Sequence, residues 1–185
     1  TIPITDVDGD DLTLTISGSD AAAFNLSSNQ VLSFISEPDY EGEKVSFGLT
    51  LDLSDGEFFV SREITIQITN VNDNSPNIES TSFFVDESCS ALDSNNCSSG
   101  STYIGQISAT DIDGDSPSFS TSNSDFTITN SGILNFISPP DFETKQTHSV
   151  IISAFDGLFT TEKEIVVNIN DLNDETPFFG SGSYN

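Results

Sequence analysis

Basic residues are almost absent. Four Lys+Arg stand against 30 Asp+Glu and a single His, giving a formal net charge of −26. Such a chain cannot grip nucleic acid, because phosphate contacts need Lys and Arg. The same charge argues against docking on anionic membranes. No apolar run approaches the ~18–20 residues of a membrane-spanning helix. Trp and Met are missing, and Tyr occurs only at Tyr40, Tyr103 and Tyr184, so a stacking platform for sugars is poorly supplied. One His and two Cys are too few for the nitrogen and sulfur donors of transition-metal sites. What remains is 185 residues, 35% hydrophobic, with 15 Phe as bulky core material. That is enough for one or two small domains built as sheet sandwiches.

The abundant element is the carboxylate, and it is clustered. Four short runs mix Asp with Asn and Gly: Asp6-Val-Asp8-Gly-Asp10-Asp11, Asn70-Val-Asn72-Asp73-Asn74, Asp111-Ile-Asp113-Gly-Asp115 and Asp171-Leu-Asn173-Asp174-Glu175. Uncompensated, this charge would oppose folding through self-repulsion. Hard oxygen donors at this density suit Ca²⁺, which takes six to eight oxygens in flexible geometry. The alternative is four solvated acidic turns, which the pairing of the runs disfavours.

That pairing is an internal repeat. Asn70–Pro76 matches Asp171–Pro177 at an offset of 101, and Thr5–Asp10 matches Thr110–Asp115 at 105. Pro38-Asp39-Tyr40-Glu41 matches Pro140-Asp141-Phe142-Glu143 at 102, and Ser54-Asp55-Gly56 matches Phe155-Asp156-Gly157 at 101. The order is the same throughout, so the chain is expected to hold tandem domains of about a hundred residues.

Between the matches the pattern has period two. Leu12, Leu14 and Ile16 alternate with polar residues, as do Val45, Phe47, Leu49, Leu51 and Leu53. Ile64, Ile66 and Ile68 repeat the pattern, and Ile165, Val167 and Ile169 repeat it again. These predict half-buried antiparallel strands, and their number predicts an all-β chain of sandwiches. Val150-Ile151-Ile152 reads as a strand buried on both faces. Ser19–Phe24 reads as one helical turn capped by Asp20.

These residues resemble tandem cadherin repeats: the Asx-x-Asn-Asp-Asx-x-Pro linker, the Asp-x-Asp after a strand, the Asp-x-Glu and the Ala-x-Asp. The resemblance covers nearly the whole chain, and its Asp-Gly-Asp and Pro-Asp-Phe-Glu flavour is that of microbial surface repeats more than of animal adhesion cadherins. It implies Greek-key, immunoglobulin-like β-sandwiches with Ca²⁺ between successive repeats. One junction would draw on Asp39, Glu41, Asn70, the Val71 carbonyl, Asn72, Asp73 and the Asn74 carbonyl from above, and on Asp111, Asp113 and Asp156 from below. A second would use Glu87, Asp141, Glu143, Asp171, Leu172, Asn173, Asp174 and Glu175, and a third Asp6, Asp8 and Asp55. Asn70 stands where the family usually has Asp, which implies a weaker site there. The implied domains are residues 1–76, a repeat lacking its first strands; 77–177, a complete repeat; and 178–185, the start of another. A remnant of five strands would leave an unpaired edge and an open core, with the missing strands donated by a neighbouring chain or absent from this fragment.

Cys89 and Cys97 lie in a Ser/Asn/Asp-rich insertion and are expected to form a local disulfide in an extracellular protein. Asn25-Leu-Ser27 and Asn96-Cys-Ser98 are glycosylation sequons.

Nothing points to an enzyme. His148 reads as a strand-edge residue, no Gly-x-Ser-x-Gly turn accompanies the many Ser, and no phosphate-cradling Gly loop is present. Catalytic carboxylate pairs occur once, whereas these acidic groups recur. The Asp-rich runs also fail the EF-hand template, which needs Glu where Ser17 and Ser122 stand. The expected function is a Ca²⁺-rigidified extracellular stalk or fibre-forming adhesive surface protein. Its partners would be neighbouring repeats of the same or like chains, a cell-surface protein or a glycan. The alternatives are a Ca²⁺-dependent carbohydrate-binding module and a spacer in a larger secreted protein.

Overall fold

Alternating side chains fix which face of each strand turns inward, and in the computed structural model they give an all-β architecture. The structure describes residues 1–42, 44–87, 101–175, 177 and 179. The chain divides into two compact units, Thr1–Val71 and Asn72–Asn185. The linker residues 72–76, grouped by the sequence with the first repeat, fall in the second unit, where Asp73 N–H and Asn74 N–H donate to Asp113 Oδ2.

The first unit holds β1 (Thr13–Ser17), β2 (Phe24–Leu26), β3 (Leu32–Phe34), β4 (Ser46–Ser54) and β5 (Phe59–Gln67). One sheet has the order β1-β4-β5, and β2 pairs with β3. Phe24, Phe34 and Phe47 meet between the sheets, with Phe47 edge-on to both partners. Among the described residues of this unit only Phe24 and Leu49 are buried hydrophobics. Leu14, Ile16, Phe47, Ile64 and Ile66 face inward yet remain half-buried. The predicted helical turn is a short 3₁₀ turn over Ala21–Ala23, but Asp20 makes no side-chain cap. Its carboxylate instead accepts the Gly48 N–H at 2.7 Å and pairs with Lys44. An ammonium partner outcompetes a weak one-turn cap.

The second unit has a fuller set: β6 (Asn77–Ile78), β7 (Ser82–Asp86), β8 (Tyr103–Gln106), β9 (Ala109–Thr110), β10 (Ser118–Ser120), β11 (Phe126–Ile128), β12 (Ile133–Phe136), β13 (Thr147–Phe155) and β14 (Thr160–Asn170). Its sheets are β10-β13-β14-β7, β11-β12-β8 and β6-β9. Here β7 runs parallel to β14, Val166 opposite Ser82 and Asn170 opposite Asp86. The two larger sheets close on a continuous core that includes Ile78, Ile104, Leu134, Val150, Ile152, Ile165 and Val167. Val150 and Ile152 are buried, but Ile151 is 52% exposed. The expectation of burial on both faces therefore fails, because one face of this antiparallel sheet meets solvent. At Gly132, φ is +91° and a Cβ would come within 2.6 Å of the Ile107 carbonyl, so the β11–β12 turn requires glycine.

Candidate metal centres

The recurring motifs build the same local structures twice. Asp6 Oδ1 accepts N–H bonds from Asp8, Gly9 and Asp10, and Asp111 Oδ1 accepts the Asp113 N–H at 2.9 Å. Asp55 Oδ1 takes the N–H groups of Glu57 and Phe58; Asp156 Oδ1 takes those of Leu158 and Phe159, both at 2.7 Å. In each case one carboxylate oxygen folds the turn and the other is left to point elsewhere.

At the linker end of the second unit this spare oxygen matters. Asp111 Oδ2 and Asp156 Oδ2 are enclosed and have no hydrogen-bond donor, and so is Asn72 Oδ1. Burial pushes the Asp156 carboxyl up, but the N–H groups of Leu158 and Phe159 and the Asn72 side chain outweigh it and hold the group below its ordinary range. It is therefore an anion at neutral pH with one oxygen unsatisfied. Asp113, 8% exposed, takes Asp73 N–H and Asn74 N–H on Oδ2 and the Asn74 amide on Oδ1. Asp111, Asp113 and Asp115 bring carboxylate oxygens within 4.8 Å of one another.

The opposite end is organised around Glu87, 4% exposed. Its Oε2 accepts Phe142 N–H at 2.6 Å and its Oε1 accepts Leu172 N–H at 2.7 Å. Asp113 and Glu87 are the only buried charged side chains among the described residues. Each staples one linker segment to the sandwich. Glu87, Glu143 and Asp171 form a second carboxylate group, and Glu143, Asp174 and Glu175 a third. A bond to its own backbone pulls the Glu143 carboxyl down, but desolvation and the charges of Glu87, Asp171 and Asp174 prevail and raise it.

The other expected ligands fall out as follows. In the first unit Asp6 and Asp8 gather with Asp10, and Asp55 folds its turn. Asp39 Oδ1 accepts Glu41 N–H at 3.0 Å. Asn70 and Val71 are exposed at the end of that unit. In the second unit Asp141 accepts Glu143 N–H and the Thr144 hydroxyl, which lower its pKa, Thr144 foremost. Among the described residues the structure brings neither Asp39 nor Asp141 into a carboxylate group. Leu172 contributes its N–H to Glu87, and Asn173 is exposed. Asp10 and Asp115 join the clusters although only the first two Asp of each run stood among the expected ligands; the third Asp of the Asp-x-Asp-Gly-Asp pattern was the available signal. Cys89, Cys97 and Asn96 lie outside the described residues, and Asn25 is exposed.

The residues present fit Ca²⁺. All donors are oxygens, three are enclosed without a hydrogen-bond donor, and at Glu143 crowding by like charge raises the proton affinity. Those are the conditions a hard divalent cation relieves.

Two β units, each carrying acidic groups at its strand ends and loops, define the class as a tandem-repeat module. No protein-family model matches the chain. The chain is 29% identical over 177 residues, 91% of its length, to the Fat-like cadherin-related tumor suppressor homolog of Drosophila melanogaster. It is 30% identical over 196 residues, covering 95% of it, to cadherin-related family member 1 of Gallus gallus. It spans only 4% and 22% of these two relatives. Among solved structures, human protocadherin-24 EC1-2 superposes with a TM-score of 0.70 at 20% identity, covering 90% of this chain and 85% of that one. A protocadherin gammaB7 EC3-6 structure, described as a cis-dimer, does so at 0.72 and 21%, covering 98% and 45%.

The chain is thus a cadherin-like tandem-repeat segment, of the extracellular kind. The relatives named here are animal proteins, so they lend no support to the microbial leaning of the sequence. No helix among the described residues is long and apolar enough to cross a membrane.

Proposed function

We propose that the chain is a Ca²⁺-stiffened adhesive spacer, in which ions at the repeat junctions convert a repelling acidic linker into a taut one. The observation that carries this is the trio of enclosed oxygens without donors, Asn72 Oδ1, Asp111 Oδ2 and Asp156 Oδ2. Ligands at that junction are Asn72, Asp111, Asp113 and Asp156, with Asp39, Glu41, Asn70, Val71, Asp73 and Asn74 added by the family resemblance. Glu87, Glu143, Asp171, Asp174 and Glu175 serve the following junction, and Asp6, Asp8 and Asp55 the preceding one.

Bound Ca²⁺ supplies the positive charge that lets these carboxylates approach. At Asp111 and Asp156 the chain's part is to leave one carboxylate oxygen without a donor while the other folds a backbone turn. Extracellular Ca²⁺ modules bind with dissociation constants of roughly 10⁻⁴–10⁻³ M. At about ten times that constant one ion stabilises the folded state by only ~1.4 kcal/mol, so stiffness needs several ions per junction. The number of carboxylates is consistent with that. The partners are like chains and neighbouring repeats.

Calorimetric Ca²⁺ titration of the wild type and Asp111→Ala tests the reading. The wild type is expected to bind more than one ion, and the variant to lose at least one with about tenfold weaker binding of the rest. Equal isotherms would remove the linker site from the account.

A further inference from the structure

His148, the only histidine of the chain, takes no part in the cation groups, yet its surroundings are unusual. It lies near the start of β13, opposite Val167 of β14. Its ring stands edge-on to Phe136, with centroids 5.0 Å apart, and to Phe126 at 6.3 Å. Both ring nitrogens are enclosed and neither has a hydrogen-bond partner. The ring borders a cavity of about 290 Å³ that Ile137, Pro139 and Pro140 of the loop before β13 also line.

We propose that His148 is an acid-sensitive latch that seats loop 137–146 on the second sandwich at neutral pH and releases it in mild acid. The two protonation states differ in what burial costs them. A neutral imidazole in this aromatic nest forgoes one donor and one acceptor. An imidazolium would forgo two donors and leave a charge without a hydrogen-bond partner at enclosed ring nitrogens.

The charged groups around it do not rescue the cation. Lys145, on the loop, repels it. Asp125, on the segment before β11, attracts it, and the Lys145 backbone also favours it, but neither reaches hydrogen-bonding geometry with a ring nitrogen. Asp141, which also lines the cavity, has both oxygens engaged by Glu143 N–H and the Thr144 hydroxyl. From β12 and β14 the neighbours are Phe136 and Val167, which are apolar. Desolvation, with Lys145 second, accordingly depresses the His148 pKa below 6.5.

The sign follows directly. The group is harder to protonate folded than unfolded, so its contribution is whole above the unfolded value of 6.5. It falls away as pH drops from there toward the folded value. The loop it seats is otherwise tied by Lys145 N–H to Asp141 O, by Gln146 O accepting Ile169 N–H, and by Phe142 N–H to Glu87. Release would therefore disturb the loop that carries Glu143.

The test begins with proton NMR titration of the single imidazole in the wild-type chain, which needs no variant. Urea unfolding of wild type, His148→Phe and His148→Gln between about pH 7.5 and 5.0 follows, with the variants cancelling the titration of the many carboxylates. The expected result is a His148 pKa below 6.5. The wild-type unfolding constant should also rise relative to His148→Phe on acidification, about tenfold per unit of depression. If Phe does not fold at this position, Gln supplies the comparison. A pKa at or above 6.5, or parallel pH profiles for wild type and variant, would overturn the latch.

Discussion

Two buried acids do different work from the exposed ones around them. Glu87 spends both oxygens on backbone donors from separate loops, Phe142 and Leu172. Truncating it strands two amides in a buried site, at about 1–3 kcal/mol for each unsatisfied group. Glu87→Ala is therefore expected to lower the stability of the second unit by about 2–6 kcal/mol, measured by urea unfolding in chelator so that lost ion binding does not contribute. An unchanged midpoint would mean that water replaces the carboxylate at no cost. Asp52 shows the milder case. Its Oδ2 accepts the Ser17 hydroxyl and its Oδ1 the Ser61 hydroxyl, both at 2.6 Å, and these bonds, Ser17 foremost, hold its pKa below 3.8. Because the folded value is depressed, the contribution is present above 3.8 and vanishes as pH falls through the folded value. Asp52→Ala should thus destabilise the first unit at neutral pH, and its unfolding curve should converge with that of the wild type in strong acid.

The elements differ in how readily the sequence disclosed them. Long strands were legible: the alternation through Phe47–Leu53 and Ile165–Ile169 lies on β4 and β14, where one face meets the core, although Val45 falls before β4 and is exposed. Ile151 misled because an apolar run is silent about which residue faces solvent once a sheet is covered on one side only. Asp20 misled because Lys44, distant in sequence, competes for a side chain that local spacing assigns to a cap. The turn-forming half of each acidic motif was legible from spacing alone. Which oxygen stays free was not, since that depends on backbone geometry at Asp113 and Leu158. The β11–β12 turn provides a test at this scale. Gly132→Ala forces a side chain into left-handed backbone, about 1–2 kcal/mol, and drives its Cβ to 2.6 Å from the Ile107 carbonyl. Thermal melting should fall measurably for the second unit and leave the first unchanged; equal melting of wild type and variant would mean that the turn can re-form in another conformation.

Over the whole molecule the two units are unequal partners. The second buries a continuous core, whereas the first has Phe24 and Leu49 as its only buried hydrophobics among the described residues. Chain unfolding is expected in two steps, with the first unit opening earlier. Amide exchange should be faster through β4 and β5 than through their counterparts β13 and β14, and a single cooperative transition with uniform protection would contradict that. The large negative charge acts at the same scale, because its repulsion is the load that the cations of the proposed function would relieve. The most direct measurement is thermal unfolding of the chain in chelator, in millimolar Ca²⁺, and in Mg²⁺ at matched ionic strength. The account predicts a rise in melting temperature specific to Ca²⁺ and diminished in Asp111→Ala. Equal melting in Ca²⁺ and Mg²⁺ would reduce the acidic groups to solvated turns and contradict the proposed function.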